Sequence, residues 1–238
     1  MTNKPDSSCH FIQRSSSLGS IILEPTPNTL RLQKILQQSE LPSKISSNVK
    51  NLMYSKLLIN LNTSLFALSG LSREEYLQDN NFREIYKKCV SEGLSVLNLK
   101  GITFRINDNL LAENFVKYLG YVPEWVSKLA LEHFLIMKRR DINFSMVHDF
   151  NLARKTEIEF LQGEIVKLSE SIKGGVPDEG VERKGKNIDV RYNRGILRLI
   201  KMIEDRMQES KEGWTEKISN EEIIKYIETE EVPKVLRD

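Results

Sequence analysis

Cysteine is scarce in this 238-residue chain: only Cys9 and Cys89 occur, far apart. They form no metal-type spacing and no disulfide framework, which points to a reducing compartment. The three histidines, His10, His133 and His148, make no HxxxH or HExxH pair, which argues against a catalytic zinc site. No apolar run reaches the ~18 residues of a membrane span. The polar start Met1-Thr2-Asn3-Lys4 lacks the apolar stretch of a secretion signal. A cytoplasmic location is therefore expected. An excess of one charge is missing too, since 35 basic residues against 33 acidic ones leave a formal net charge of +2. That balance makes no case for nucleic acid or an anionic membrane as partner. Lys138-Arg139-Arg140 reads as a solvated run at a helix end.

What is present suits an ordinary globular chain with a sizeable core: 39% hydrophobic and 29% charged residues. Residues 1–9 are expected to be disordered. Residues 10–45 hold two strand-like runs, Phe11-Ile12 and Leu18 to Leu23, expected to form a short β-hairpin. Pro25 and Pro27 end the second run, and an amphipathic helix is expected from Thr29 to Ser39. So few elements cannot make a stable domain, and they read as the remnant and linker of something larger.

Residues 46–206 are expected to form a helical domain, making the fold mainly α. Its first helix has Asn48 as N-cap and Ser69-Gly70 as stop, and is apolar nearly all round, as buried helices are. Further helices are expected at 72–78, 81–98, 109–119 and 123–138. Thr156 to Ile172 carries a stripe of Ile158, Leu161, Ile165, Leu168 and Ile172, with Thr156 and Glu159 as a capping box. The glycine-rich, charged stretch from Lys173 to Arg191 reads as a loop, followed by a helix from Asn193 to Arg206. Residues 207–238 read as a charged tail with a turn at Trp214 and a helix near 220–228.

One polar line runs down the first long helix: Lys56, Asn60 and Thr63, with Ser64 beside it, within roughly a 100° arc. A lysine there either lays its stem along the core with its ammonium in water, or has a task. With Asn60 one turn on, the two supply donors for a carbonyl or carboxylate oxygen. Glu157 lies at the edge of the apolar stripe, either as a first-turn acid on the helix dipole or as a site acceptor. Ser145 is an N-cap or a donor, and Asp149, Arg154 and Lys155 a surface charge cluster or part of a site.

Singly these residues decide nothing, but their order does. Tyr54-Ser55-Lys56-Leu57-Leu58-Ile59-Asn60, then Ser145-Met146, Asp149, Arg154, Thr156-Glu157-Ile158-Glu159 and Leu161-Gln162-Gly163 resemble the C-terminal domain of the ketopantoate reductase (2-dehydropantoate 2-reductase) family. The likeness runs from about residue 10 to 205 and is dense at 54–71 and 144–169. It implies the helical C-terminal fold shared with 6-phosphogluconate dehydrogenase. It implies Lys56 as the general acid that protonates the ketone oxygen, with Asn60 binding substrate. Ser145 would hold the substrate carboxylate and Glu157 its hydroxyl. A second family asparagine falls at Ser64, a contact that Thr63 or Asn62 could replace. Tyr192-Asn193 sits where the family has Pro-x-Asn, with Arg191 in place of the proline. Pairing into a homo-oligomer is also implied.

The family uses NADPH, held by a G-x-G-x-x-G/A turn after a first strand. No two of the glycines in this chain are spaced G-x-G. The expectation is a truncated or split reductase, inactive alone, whose activity a separately encoded NADPH-binding domain could restore by docking. The alternatives are a non-catalytic helical scaffold that kept the fold, and an incomplete reading frame.

Overall fold

In the computed structural model, residues 20–104, 145–173 and 188–237 are described. The helices expected at 109–119 and 123–138, the strand at Phe11-Ile12, the disordered residues 1–9, the basic run at Lys138 and most of the loop after Lys173 lie outside them. The chain divides into two compact units, Met1–Val49 and Lys50–Asp238.

The first unit is a strand, a helix and a strand: β1 (Ile21–Leu23), α1 (Pro27–Gln38) and β2 (Ser43–Ile45). Thr26 caps α1 reciprocally with Thr29: the Thr29 N–H donates to Thr26 Oγ1 at 3.2 Å, and the Thr26 N–H to Thr29 Oγ1 at 2.9 Å. Pro27 therefore opens the helix rather than merely closing a strand. The first helical position has no use for an N–H, and proline presets the backbone there. Among the described residues β1 pairs with β2, in parallel, with Ile21 opposite Ser43 and Leu23 opposite Ile45. A connection through a helix makes this pair parallel; the hairpin expected between Phe11-Ile12 and the Leu18–Leu23 run lies outside the described residues. The Ile21 N–H donates to the Pro42 carbonyl at 2.8 Å and the Ser46 N–H to the Leu23 carbonyl at 2.9 Å.

The second unit is helical: α2 (Val49–Asn60), α3 (Asn62–Ser69), α4 (Arg73–Gln78), α5 (Asn80–Leu99), α6 (Ser145–Asn151), α7 (Gln162–Lys173), α8 (Arg191–Ser210) and α9 (Asn220–Thr229). At its centre lies α8, which packs on α7, α9, α5 and α3. Ile196, Leu199, Ile200, Ile203 and Met207 form its buried stripe at helical spacing. Gly195 lets α9 approach, since a Cβ there would lie 2.5 Å from Ile227 Cγ1. Its N-terminus is capped from α5. The Tyr192 and Asn193 N–H groups donate to the Glu92 carboxylate at 2.9 and 3.0 Å, and Asn193 Nδ2 donates to it at 2.7 Å.

The tail packs on this unit rather than trailing from it. The Trp214 N–H donates to the Phe150 carbonyl of α6 at 2.9 Å, and the Ile218 N–H to the Leu68 carbonyl of α3 at 2.9 Å. Asn220 Nδ2 donates to both Asp79 carboxylate oxygens, at 2.9 and 3.1 Å. Asp79 is itself the N-cap of α5.

Candidate functional site

The long helix expected from Asn48 to Gly70 is two helices, with a turn at Leu61. Helix ends leave carbonyls without partners, and side chains serve them here. Thr63 Oγ1 donates to the Asn60 carbonyl at 2.9 Å, and Ser64 Oγ to the Leu61 carbonyl at 2.9 Å. Gln162 Nε2, from the start of α7, donates to the same Leu61 carbonyl at 2.9 Å and to Ser64 Oγ at 2.5 Å. Half of the expected polar line is therefore engaged in holding the break. Ser64 is fully buried, and its hydroxyl is committed to Leu61 and Gln162. That geometry gives Ser64 a task in the fold, at the break between α2 and α3.

The other half stays open. Lys56 is exposed and Asn60 half-buried. Four residues apart on α2, they share one face. Tyr54, on the same helix, donates its hydroxyl to Glu164 Oε1 of α7 at 3.0 Å. Burial and that carboxylate raise the Tyr54 phenol above its ordinary value.

Ser145 opens α6, and its Oγ donates to Glu157 Oε1 at 2.8 Å. The structure thus joins two residues that the sequence offers separately. The turn between them begins with Ala153, which adopts a left-handed φ of 49°. The Arg154 N–H returns to the Asp149 carbonyl at 2.8 Å and the Ala153 N–H to the Phe150 carbonyl at 3.2 Å. This is a Schellman ending, which reverses the chain after α6.

The helix expected from Thr156 to Ile172 forms only from Gln162 onward, and its capping box does not form. Ile158–Phe160 is a single tight turn, Leu161 breaks it with φ −108° and ψ −99°, and α7 starts at Gln162. Glu204 of α8 is the physical reason. Its Oε1 accepts from the Thr156 N–H at 2.7 Å and the Thr156 hydroxyl at 2.6 Å. Thr156 Oγ1 accepts from the Ile158 N–H at 3.2 Å. Glu159 does not turn back to cap; it pairs with Lys201 of α8 and raises the lysine above its ordinary value. The apolar stripe survives the break, with Ile158, Leu161 and Ile165 all buried.

Chemically, the surface carries two clusters. Ser145 and Glu157 are both exposed, a hydroxyl and a carboxylate held together. Lys56 and Asn60 offer an ammonium and an amide. Among the described residues no hydrogen bond or ion pair joins the two clusters. They are linked through the fold: α2 runs into α3, and α3 packs on α6. Glu204 and Lys201 escaped the sequence reading, although Glu204 was detectable. It interrupts the apolar stripe of α8 between Ile203 and Met207, where burying a carboxylate calls for a partner.

Residues 48–204 match the family described as "Ketopantoate reductase PanE/ApbA C terminal". No curated protein matches. Among solved structures, a PanE/ApbA family ketopantoate reductase from Ralstonia eutropha JMP134 is 20% identical, with a TM-score of 0.61 over 82% of this chain and 54% of that one. The dimeric ketopantoate reductase of Staphylococcus aureus is 16% identical, with a TM-score of 0.58 over 79% of this chain and 54% of that one. D-mandelate dehydrogenase, solved with NADH and anilino(oxo)acetate, is 16% identical, with a TM-score of 0.57 over 81% of this chain and 69% of that one. These likenesses establish a shared fold. The chain spans about half the length of the two ketopantoate reductases. Among the described residues no helix is long and apolar enough to cross a membrane.

Proposed function

Because the chain belongs to the ketopantoate reductase family through the C-terminal domain at residues 48–204, we propose that its helical unit binds a 2-keto acid of the ketopantoate type. The observation that carries this reading is the Ser145–Glu157 hydrogen bond. It presents a carboxylate that can accept from a substrate hydroxyl, beside a serine whose one O–H proton, held by Glu157 in the free chain, would turn to a substrate carboxylate on binding. Asn60 supplies an amide donor. Lys56 holds the proton for the ketone oxygen, a general-acid role that its reach into solvent on α2 leaves open to a bound substrate.

Reduction also needs a hydride, which NADPH supplies in the family. The residues present do not fit that cofactor. No glycine pair spaced G-x-G occurs in the sequence. The α1 N-terminus opens with Pro27, which has no N–H, and Thr26 takes up the Thr29 N–H. A pyrophosphate would need those donors. No step through NADPH is assigned to this chain. We place the coenzyme site on a separate nucleotide-binding domain, with the chain alone binding keto acid but not reducing it. Self-association belongs to the same reading, given the dimeric relative from Staphylococcus aureus.

Calorimetric titration of the purified chain with ketopantoate tests the proposal. Saturable binding that Lys56→Ala and Glu157→Gln each weaken supports it, and no binding to the wild-type chain sinks it. Tight, saturable NADPH binding by the chain alone overturns the assignment of the coenzyme site elsewhere. Sedimentation velocity reads the oligomeric state, and a monomer throughout removes self-association.

A further inference from the structure

The segment from Thr156 to Gln162 is gripped from two sides. On one side are Glu204 and Lys201, three residues apart on α8. Glu204 holds the Thr156 N–H and hydroxyl through one oxygen, at 2.7 and 2.6 Å, and Lys201 pairs with Glu159. On the other side Gln162 is tied to Leu61 and Ser64. Between these grips Ile158 is fully buried. Thr156 and Ile158 both point inward and Glu159 is taken by Lys201. Glu157 is left facing outward, where Ser145 Oγ meets it at 2.8 Å.

A carboxylate as buried as Glu204, 4% exposed, needs a reason. An apolar residue at 204 would extend the stripe of Ile196, Leu199, Ile200, Ile203 and Met207 without the desolvation that an acid suffers. Among the described residues no ion pair neutralises it. Its hydrogen-bond partners are the two donors of Thr156, the residue next to Glu157.

We propose that Glu204 is a positioning residue: its buried carboxylate fixes Thr156 and so aims Glu157 into the keto-acid site, with Lys201 steadying the far side of the turn. The role rests on the reading of Glu157 as a substrate acceptor. It also has a consequence independent of any substrate, since the environment of the Glu157 carboxylate depends on Glu204.

Both consequences are measurable on the full chain. The first readout is the 13C carboxyl resonance of Glu157 without ligand. The second is the dissociation constant for ketopantoate by calorimetry. Glu204→Ala should move the Glu157 resonance and weaken binding about tenfold. Glu204→Gln keeps an amide oxygen able to accept from both Thr156 donors, so it should leave both readouts near wild type. A merely structural loss would not show that rescue together with a displaced Glu157 signal. Adding Glu204→Ala to Glu157→Gln should cost no further affinity, because the two act through one contact. Where Glu204→Ala does not fold, Thr156→Val removes the hydroxyl half of the grip and should shift the same resonance. A folded Glu204→Ala or Thr156→Val chain with an unmoved Glu157 resonance overturns the proposal. So does a Glu204→Gln chain as impaired as Glu204→Ala, or losses that multiply with Glu157→Gln. A wild-type chain that ignores ketopantoate overturns the substrate reading instead, and the Glu157 resonance still decides the role of Glu204.

Discussion

Ser145 and Glu157 are exposed, yet they are joined at 2.8 Å. An exposed hydrogen bond competes with water and adds little to stability, and on the proposed function its value lies in binding. Ser145→Ala should therefore change unfolding free energy by no more than about 0.5 kcal/mol. The same substitution should weaken ketopantoate binding about tenfold, as expected for one lost donor to a carboxylate. Urea unfolding and calorimetry on one preparation separate the two. A large stability loss would make Ser145 a helix cap before anything else. Ser64 illustrates the opposite case. It has the same side chain and lies beside the polar line of Lys56 and Asn60, but it is fully buried and spent on the Leu61 carbonyl and Gln162. Residue type alone cannot tell these serines apart; burial does.

Elements meet the site through their ends, and the end of α6 makes two clear predictions. Ala153 closes α6 in the left-handed region at φ 49°, where a Cβ crowds the backbone. Ala153→Gly should stabilise the protein by about 0.5–1 kcal/mol, the relief being partly offset by a freer unfolded chain. A shift of the urea midpoint without a change of slope checks this. Gly213 passes over the same end of α6. A Cβ there would lie 2.6 Å from the Asn151 carbonyl oxygen and 2.8 Å from that of Phe150. Backbone cannot step aside as a side chain can, so Gly213→Ala should lift Trp214 from its hydrogen bond to Phe150 and cost about 2–3 kcal/mol. Tryptophan fluorescence and thermal unfolding both report it, and an unchanged Trp214 environment contradicts it. The sequence was legible wherever local signals acted alone. The helices expected at 72–78 and 81–98 form at Arg73–Gln78 and Asn80–Leu99, started by the local caps of Ser72 with Glu75 and of Asp79. It misled where a distant partner outbid a local one. Thr156 and Glu159 have the spacing of a capping box, but Glu204 and Lys201 take them from another helix. The tail beyond 206 carried no legible role, because its contacts with Leu68, Phe150 and Asp79 are long-range backbone and side-chain hydrogen bonds without periodicity.

At the scale of the whole chain the two units differ in what supports them. The helical unit has a continuous core running from Leu58 through Ile165 and Ile203 to Ile223, all fully buried. In the first unit no residue from 20 to 49 is buried. Ile35 of α1 is 59% exposed and Ile21 of β1 is 42% exposed. Among the described residues its sheet is two parallel strands of three residues each. Parallel strands occur almost only where both faces are covered, and a two-stranded sheet is marginal by itself in water. Ordering a residue costs about 1–2 kcal/mol of backbone entropy, and burial of apolar surface is the main offset. With so little burial, the first unit should open locally long before the helical unit unfolds. Native-state hydrogen exchange on the chain alone should therefore find the amides of residues 21–23 and 43–46 weakly protected. Those of α8 around Ile200 and Ile203 should approach the protection set by global unfolding. Equal protection of β1, β2 and α8 would mean that the strands are covered, by a second copy or by another part of the protein. The experiment would then have located that surface on the exposed side of α1 or at the strand edges.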